Sequence, residues 1–442
     1  MRSEELEAQK RPSSRRSPSA SSGQASRPRD LLKQVSKVAK EVPRCARDDE
    51  SSRASNAFLL TPHSLLSATS YFLALTSYLS PLTSYFLLLT SHCSPMAPIR
   101  VDLFSDTITR PTPAMRRAMC DAEVGDEQQR EDPTVNRLQE MVAELLGKEA
   151  ALFLPSGTMC NQVAFAVHCR PGDEILLHET AHPLLYEAGG AAAMVGAVFH
   201  PLPGPRGRFT PAQLRQALRP AVHYMPRSRA VSVEQTANIV GGACWPLAEI
   251  RAVCQVAREA GLVCHMDGAR LLNAVVSSGT SATVFAAPFD SVWIDLTKGL
   301  GAPVGAVLAG SAEFIEAAWV FKQRFGGAMR QAGIIAAAGI YALEHHVSRL
   351  AEDHERARML ARGLARLPGI EIDAERVETN IVIFDVRNSG LSGDEFNRRT
   401  LEHAGVRFSV LGPTLVRAVT HLDLPADAVD QALAAAAAAL QD

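Results

Sequence analysis

The chain has 442 residues, of which 47% are apolar, and its formal charge at pH 7 is −2. This length allows two or three domains with a substantial core, and the near-neutral charge argues against a general attraction to nucleic acid or to an anionic membrane. No two of the eight cysteines have metal-ligand spacing such as C-x-x-C. We therefore expect free thiols, no metal site and a cytoplasmic location.

Residues 1–95 differ in composition from the rest of the chain. Residues 1–56 are rich in Ser, Arg and Lys, whereas residues 54–99 contain no Asp, Glu, Lys or Arg. The repeat ATSYFLALTSYLSPLTSYFLLLT is interrupted too often by Ser, Thr, Tyr and Pro for a spanning helix, although a membrane anchor is the alternative. We predict a low-complexity extension, disordered or non-native, and hypothesise that the natural chain starts at Met96, where globular patterning begins.

From residue 96 onward, helical and strand patterns alternate. Asp132, Pro133 and Gly147 predict the cap, the start and the end of one helix, and Pro246 starts a second. Short apolar strands are predicted at 262–267, 291–296 and 304–310. This alternation indicates an α/β fold with a mostly parallel central sheet and helices on both faces, which we assign to a large domain of residues 96–346.

The pattern changes near residue 347. A charged amphipathic helix is predicted at 349–367, and an Ala-rich helix ends the chain. Strand candidates lie between them at 370–374, 380–386 and 414–421. These elements predict a smaller C-terminal α+β domain of residues 347–442.

The first candidate functional group is the stretch LVCHMDGAR. Asp267 ends a predicted strand, and Arg270 follows three residues later. Ligands of open α/β sheets bind beyond the carboxyl ends of the strands, so both residues are candidates for a site. Taken alone, Asp267 is equally consistent with a helix N-cap or a turn aspartate, and Arg270 is more typical of a surface or structural arginine.

Two further groups have the same placement. Lys298 follows an apolar strand and is surrounded by small residues in DLTKGLGAPVGAVLAG, where its charge and rotamer freedom are costly. A surface-loop lysine is the simpler interpretation of that motif alone. Ser156, Gly157 and Thr158 lie between a strand and a helix, where free backbone amides can hold a phosphate, although Ser and Thr are also common caps.

The three groups together are more specific than any one of them. Asp267 could pair with a pyridinium, Lys298 could hold an aldehyde as a Schiff base, and the turn at 156–158 could bind a phosphate. This combination in an α/β fold predicts a site for pyridoxal 5'-phosphate. We therefore interpret Lys298 as the lysine that binds the cofactor covalently.

Several stretches in order also match a known family. They are DLFSDTITRPTPAMRRAM, EDPTVNRLQE, GKEAALFLPSGTMCNQ, HMDGARLLNA, TKGLGAPVGAVLAG, GGAMRQAGIIAAAGIYAL and LVRAVTH. On these residues the chain, from about 100 to 421, resembles the low-specificity L-threonine aldolase family of fold-type I pyridoxal phosphate enzymes. The resemblance implies a carbon–carbon lyase that cleaves L-threonine, L-allo-threonine or related β-hydroxy-α-amino acids to glycine and an aldehyde. It also implies a homotetramer built as a dimer of dimers.

The resemblance implies a role for each matching residue. The catalytic residues are Lys298, Asp267 and His182. They would respectively form the Schiff base, pair with the pyridinium, and stack on the cofactor ring while moving protons, directly or through a water. The residues that would hold the cofactor phosphate are Ser156, Gly157, Thr158 and, from another subunit, Arg330. The residues that would bind the substrate carboxylate are Ser105, Arg270 and Arg417.

Two places depart from the family pattern. Residues 127–130 read Glu-Gln-Gln-Arg where relatives commonly have a Tyr-Gly pair, and Ala237 replaces a frequent histidine. Both places lie near the substrate's side chain in relatives, so the preferred β-hydroxy amino acid stays open at Gln128–Arg130 and Ala237. The alternatives are a β-eliminating lyase or aminotransferase with the same cofactor, or a non-catalytic relative.

Overall fold

A computed structural model describes residues 98–441 of the chain. The predictions about residues 1–95 and Met96 therefore lie outside the described residues. Among residues 98–441, no helix is both long enough and apolar enough to cross a membrane.

The main sheet has seven strands in the order β2-β8-β7-β6-β5-β3-β4. Its strands are β2 (Ala150–Leu154), β3 (Glu174–His178), β4 (Val198–Leu202), β5 (Ser228–Glu234), β6 (Val263–Gly268), β7 (Ser291–Asp295) and β8 (Ala306–Gly310). Pairs along the run from β4 to β7 are parallel, whereas β8 is antiparallel to both β7 and β2. The prediction of a mostly parallel central sheet is confirmed.

The α-helices of the described residues connect and cover these strands. They are α1 (Pro113–Cys120), α2 (Pro133–Leu146), α3 (Gly157–His168), α4 (His182–Leu185), α5 (Pro211–Ala217), α6 (Leu247–Glu259), α7 (Leu271–Ser278), α8 (Ala282–Ala286), α9 (Ala312–Arg324), α10 (Gly333–His345), α11 (Leu350–Leu364), α12 (Gly393–Ala404) and α13 (Ala428–Ala439). Short 3-10 turns occur at Asp106–Ile108, Glu127–Gln129, Pro205–Gly207, Ala374–Arg376 and Arg387–Ser389, and a π-helical turn at Ala191–Val195.

The helix ends follow the local sequence signals. The Asp132 side chain accepts the Val135 amide at 3.0 Å and caps α2, which ends at Gly147 with φ of +62°. Both features match the prediction, because Asp accepts first-turn amides and Gly tolerates the left-handed region. In α6, Pro246 is the N-cap and not the first helical residue, which is a shift of one position.

The main sheet is buried on both faces. Leu152 and Leu154 of β2 pack with Phe314 of α9, whereas Phe153 of the same strand packs into the core that includes Leu138 of α2. This alternation follows from the two-residue period of a strand, which sends successive side chains to opposite faces. The predicted helices on both faces of the sheet are thus confirmed.

The C-terminal residues build a second hydrophobic cluster. It contains the three-stranded antiparallel sheet β11 (Ser409–Val410), β12 (Leu415–Val419) and β9 (Ile381–Asp385), with α11, α12 and α13 packed on it. The short strand β1 (Val101–Asp102) pairs in parallel with β10 (Val406–Arg407) and packs into the same cluster. The domain division at residue 347 stays a prediction.

One predicted strand is wrong. In residues 370–374 only Glu371 pairs, through a single antiparallel bridge to Asp385. The chain then turns into the 3-10 turn that starts at Ala374, so the ladder ends after one residue. The alternating apolar pattern of IEIDA was compatible with a strand, but it carried no information about how far the partner strand continues.

Candidate active site

Three neighbouring strands of the main sheet carry a carboxylate at or near their carboxyl ends. Glu234 ends β5, Asp267 lies at the end of β6, and Asp295 ends β7. All three line a cavity of about 420 Å³. Every predicted site residue except Arg330 also lines it, namely Ser105, Ser156, Gly157, Thr158, His182, Asp267, Arg270, Lys298 and Arg417. The sheet therefore brings the sequence-predicted residues together at the edge where ligands are expected.

The Asp267 side chain is held at both oxygens. Its Oδ2 accepts a hydrogen bond from Asn161 Nδ2 at 2.9 Å, and its Oδ1 accepts the Ala269 amide at 3.1 Å. Burial raises the pKa of Asp267. Glu234 stands opposite Asp267 in the β5–β6 register, and burial, together with the Asp267 charge, raises the pKa of Glu234 to about 8. A protonated ring nitrogen would give the Asp267 carboxylate a cationic partner in direct contact, which favours its ionised form.

Asn161 connects the polar groups beneath the cavity. Its Nδ2 donates to Asp267 and to Glu187, the latter at 2.8 Å. Its Oδ1 accepts from Trp293 Nε1 at 2.8 Å and lies 3.1 Å from His265 Nε2. Burial lowers the pKa of His265 to about 3, so this ring is neutral and can donate from Nε2. All four hydrogen-bonding positions of the Asn161 amide are thereby used.

His182 begins α4 and faces the cavity. Its Nδ1 lies 3.1 Å from Glu187 Oε1, an arrangement in which Nδ1 carries the proton and Nε2 is left as an acceptor. Burial lowers the pKa of His182, but the hydrogen bond to Glu187 and the nearby carboxylates outweigh it and raise that pKa. The ring can therefore hold or release a proton at Nε2.

Lys298 lies three residues beyond the end of β7. Its Nζ forms an ion pair with Asp295, and it lies 5.7 Å from the centroid of the Trp293 ring. The Thr109 hydroxyl donates to the Lys298 carbonyl at 2.9 Å, which fixes the backbone of this turn. The lysine side chain is 17% exposed, so it is neither a surface-loop residue nor cut off from the cavity.

The turn that precedes α3 has the form of an anion cradle. The Ser156 hydroxyl accepts the Met159 amide at 3.2 Å, and the amides of Gly157 and Thr158 lie in the first turn, where helical amides lack intrahelical acceptors. A Cβ added to Gly157 would lie 2.3 Å from the Trp293 ring, so only glycine fits. The cradle, Asp267 and Lys298 fit the phosphate, the ring nitrogen and the aldehyde of the predicted cofactor.

The two arginines of the cavity differ in their partners. Arg270 makes a bidentate ion pair with Asp106 at 2.6 and 2.8 Å, and both side chains are buried. Although burial raises the pKa of Asp106, Arg270 outweighs that effect and holds it well below its usual range. Arg417 donates to Asn238 Oδ1 at 3.1 Å, and its buried Nε has no partner among residues 98–441.

The comparisons with known proteins agree with this geometry. The profile of the beta-eliminating lyase family matches residues 102–389. Low-specificity L-threonine aldolase 1 of Arabidopsis thaliana is 39% identical over 328 residues, which cover 73% of this chain and 91% of that protein. The low specificity L-threonine aldolase of Escherichia coli K12 is 39% identical over 73% of this chain and 94% of its own length. The chain belongs to the low-specificity L-threonine aldolase family.

Solved structures share the fold of this family member. The threonine aldolase of Leishmania major superimposes with a TM-score of 0.67 at 19% identity, over 77% of this chain and 99% of that one. Serine palmitoyltransferase of Sphingomonas wittichii superimposes with a TM-score of 0.62 at 18% identity, over 83% of this chain and 98% of that one. The predicted fold-type I α/β class is therefore confirmed.

The residues at the two departures from the threonine aldolase pattern do not line the cavity of this chain. Gln128 donates to the Met329 carbonyl, Arg130 forms an exposed ion pair with Glu316, and neither lines the cavity. Ala237 is buried and pairs with Ala243. The substrate preference that these positions left open remains open.

Arg330 is the one predicted site residue outside the cavity. Its side chain is 62% exposed and donates to Asp126 Oδ2 at 2.9 Å. The predicted role concerns the phosphate of another subunit, so it stays a prediction from the threonine aldolase resemblance.

Sequence reasoning did not identify several polar residues of the site. They are Asp106, Asn161, Glu187, Glu234 and Asp295. Three of them lie within the motifs that contain predicted site residues: Asp106 follows Ser105 directly, Asn161 ends the motif GTMCN, and Asp295 begins DLTKG. For Asp295 and Glu234 the available signal is a carboxylate at the end of a largely apolar strand, where an unpaired side chain is costly.

Proposed function

We propose that this member of the threonine aldolase family is a pyridoxal 5'-phosphate-dependent carbon–carbon lyase. It cleaves L-threonine, L-allo-threonine or a related β-hydroxy-α-amino acid to glycine and an aldehyde. The observation that carries the proposal is the convergence of Lys298, Asp267 and the 156–158 turn on one cavity that Arg417 also lines. The names and the 39% identity of the relatives support the reaction class.

The cofactor would be held at three points. Lys298 would bind the aldehyde, Asp267 would accept a hydrogen bond from the ring nitrogen, and the Gly157 and Thr158 amides would donate to the phosphate. When bound, the ring supplies an acceptor for the electron pair that cleavage of the Cα–Cβ bond leaves on Cα. His182 would lie against it.

Arg417 and Arg270 orient the substrate. Arg417 lines the cavity and its buried Nε has no partner among the described residues, so a guanidinium that turns toward a substrate carboxylate would gain an acceptor for this donor. Arg270 uses Nε and Nη2 on Asp106, which leaves Nη1 for a ligand. Two fixed guanidinium groups would hold the carboxylate and thereby set which bond to Cα breaks.

His182 handles the proton of the β-hydroxyl. Because Nδ1 is turned toward Glu187, Nε2 is the atom that can accept the hydroxyl proton, directly or through one water. Loss of that proton turns the C–O bond into the carbonyl of the departing aldehyde as Cα–Cβ breaks. A proton then returns to Cα to give glycine.

The test is a product assay on purified protein loaded with pyridoxal phosphate. A panel of β-hydroxy amino acids is offered while free aldehyde and glycine are quantified, and borohydride reduction with peptide mapping locates the bound cofactor. We expect equal amounts of glycine and aldehyde, with the label on Lys298. In Lys298→Ala we expect no products and no label at position 298. A label on another lysine, or no aldehyde from any member of the panel, would overturn the proposal.

A β-elimination reaction is the second candidate. The matching family profile bears that name, and the cofactor-holding residues would serve either chemistry. The same assay separates the two, because elimination from serine or threonine yields ammonia and a keto acid with no glycine.

The assembly and the compartment are also proposals. We propose a homotetramer built as a dimer of dimers, with Arg330 of one chain reaching the phosphate of another. The exposure of Arg330 leaves it available for such a contact. We also propose a cytoplasmic location, which the free thiols at Cys160, Cys169, Cys254 and Cys264 support. Light scattering of the purified protein tests the assembly, and fractionation of source cells tests the compartment.

A further inference from the structure

Asp295 lies beside two parts of the site that would bind the cofactor, namely Lys298 and the anion cradle at residues 156–158. Its Oδ2 forms the ion pair with Lys298 Nζ. The same oxygen lies 3.3 Å from the place that a Cβ on Gly157 would take, at the start of the anion cradle. The Asp295 side chain is only 5% exposed, so water screens its charge weakly.

The turn fixes Asp295 in this position. Its Oδ1 accepts the Thr297 amide at 2.7 Å and the Thr297 hydroxyl at 2.6 Å. With one oxygen committed to the turn and the other to Lys298, the carboxylate cannot rotate away without losing hydrogen bonds. The charge therefore stays beside the lysine and the cradle.

Cofactor loading would remove the partner of this carboxylate. Condensation of an amine with an aldehyde uses the nitrogen lone pair, so an ammonium must first release its proton to solvent. A C=N bond then forms and one water leaves. The phosphate meanwhile brings between one and two negative charges to the cradle that Asp295 adjoins. Loading therefore replaces the ammonium beside Asp295 with a much less basic C=N nitrogen and places a second anion close to this carboxylate.

Resting on the proposed function, we propose that Asp295 opposes cofactor loading, by holding Lys298 as an ion pair and by repelling anions from the 156–158 cradle. Asp295 is thus a positioning residue that keeps the lysine in place until the cofactor competes for it. Its removal makes loading easier, whereas a purely structural role in the turn would make it harder.

The experiment uses cofactor-free full-length protein and two probes that separate the two effects. Pyridoxal carries the aldehyde without the phosphate, and its incorporation is followed by timed borohydride quenching and peptide mapping of Lys298. Inorganic phosphate tests the cradle alone, by titration calorimetry. For Asp295→Asn we expect about tenfold faster incorporation of pyridoxal and about tenfold tighter binding of phosphate, as fits the loss of one weakly screened charge at short range.

Two control variants isolate the charge from the fold. Thr297→Val removes the hydroxyl that donates a hydrogen bond to Asp295 but keeps the Asp295 carboxylate. This variant should incorporate pyridoxal no faster than the unmodified protein. Asp394→Asn makes the same charge change at an exposed position in α12 and should leave both probes unaffected. Circular dichroism checks that each variant is folded.

The outcomes separate this proposal from the proposed function. If Asp295→Asn is labelled at Lys298 no faster than the unmodified protein and binds phosphate no tighter, Asp295 does not oppose loading, although the lysine assignment stands. If no form of the protein is labelled at Lys298, the cofactor assignment fails and this proposal fails with it.

Discussion

The cavity has two walls that satisfy their polar groups in different ways. On the wall formed by α3, β6 and β7, Asn161 uses all four of its hydrogen-bonding positions on protein partners. On the second wall, to which β12 contributes Arg417, the buried Nε of this arginine has no partner among residues 98–441. The Asn161 amide is complete without a ligand, whereas Arg417 has a donor left for one.

This difference indicates what each wall is for. A network that is already satisfied holds Asp267 and, through Glu187, His182 in fixed positions, which suits groups that must meet a cofactor ring. An arginine with an open donor suits a ligand that enters and leaves, because the ligand supplies the missing acceptor in each cycle. Damage to the first wall should therefore appear mainly as lost stability, and damage to the second mainly as weakened substrate binding.

The largest effect is expected from Asn161→Ala. The change leaves three buried atoms, Trp293 Nε1, His265 Nε2 and Asp267 Oδ2, without their partner, so we expect the free energy of unfolding to fall by about 3 kcal/mol. Urea denaturation measures it. Asn136→Ala is the control, because Asn136 makes one exposed hydrogen bond to the Arg130 carbonyl. A loss of stability no larger than that of the control would mean that the first wall does not depend on this residue.

The hydrogen-bond network around Asn161 was also the part that the sequence predicted least. Lys298 and Asp267 could be predicted because each follows an apolar strand within a short, specific motif. Asn161 contacts Asp267 across 106 residues and Trp293 across 132, and a single sequence contains no signal for those pairs. Helix ends were predictable for the opposite reason, since Asp132 and Gly147 act on neighbouring backbone groups.

A second prediction concerns the departure at Ala237. This residue is buried and lies against Gly207, where an added Cβ would come within 2.5 Å of the Ala237 methyl group. Introducing the family's frequent histidine as Ala237→His should therefore overpack the site and lower the free energy of unfolding by about 2 kcal/mol. Thermal and urea unfolding measure the change. A variant that kept full stability and altered the preference between threonine and allo-threonine would place this position at the substrate after all.

The two arginines test the comparison of the walls directly. Arg270→Lys loses the bidentate contact with buried Asp106 and should lower the free energy of unfolding by about 1.5 kcal/mol. Arg417→Lys keeps a charge but loses the planar donor pair, so we expect KM for the amino acid to rise about tenfold with little change in stability. Equal effects of the two variants on KM and on stability would remove the distinction between an arginine paired with a buried carboxylate and an arginine with an unpaired donor.

The smallest effect is expected from Glu187→Gln, which tests the contact between Glu187 and His182. Glu187 stabilises the imidazolium of His182 and so raises the pKa of that residue, and the rate should fall as the pH drops through this pKa because the base is then protonated. Replacing the carboxylate with an amide removes that stabilisation, lowers the pKa of His182 and moves the acid limb of the kcat/KM profile to lower pH. Glu179→Gln is an exposed control that should leave the profile in place. If the acid limb does not move in Glu187→Gln, the group that titrates there is not His182, and the proton of the β-hydroxyl goes elsewhere.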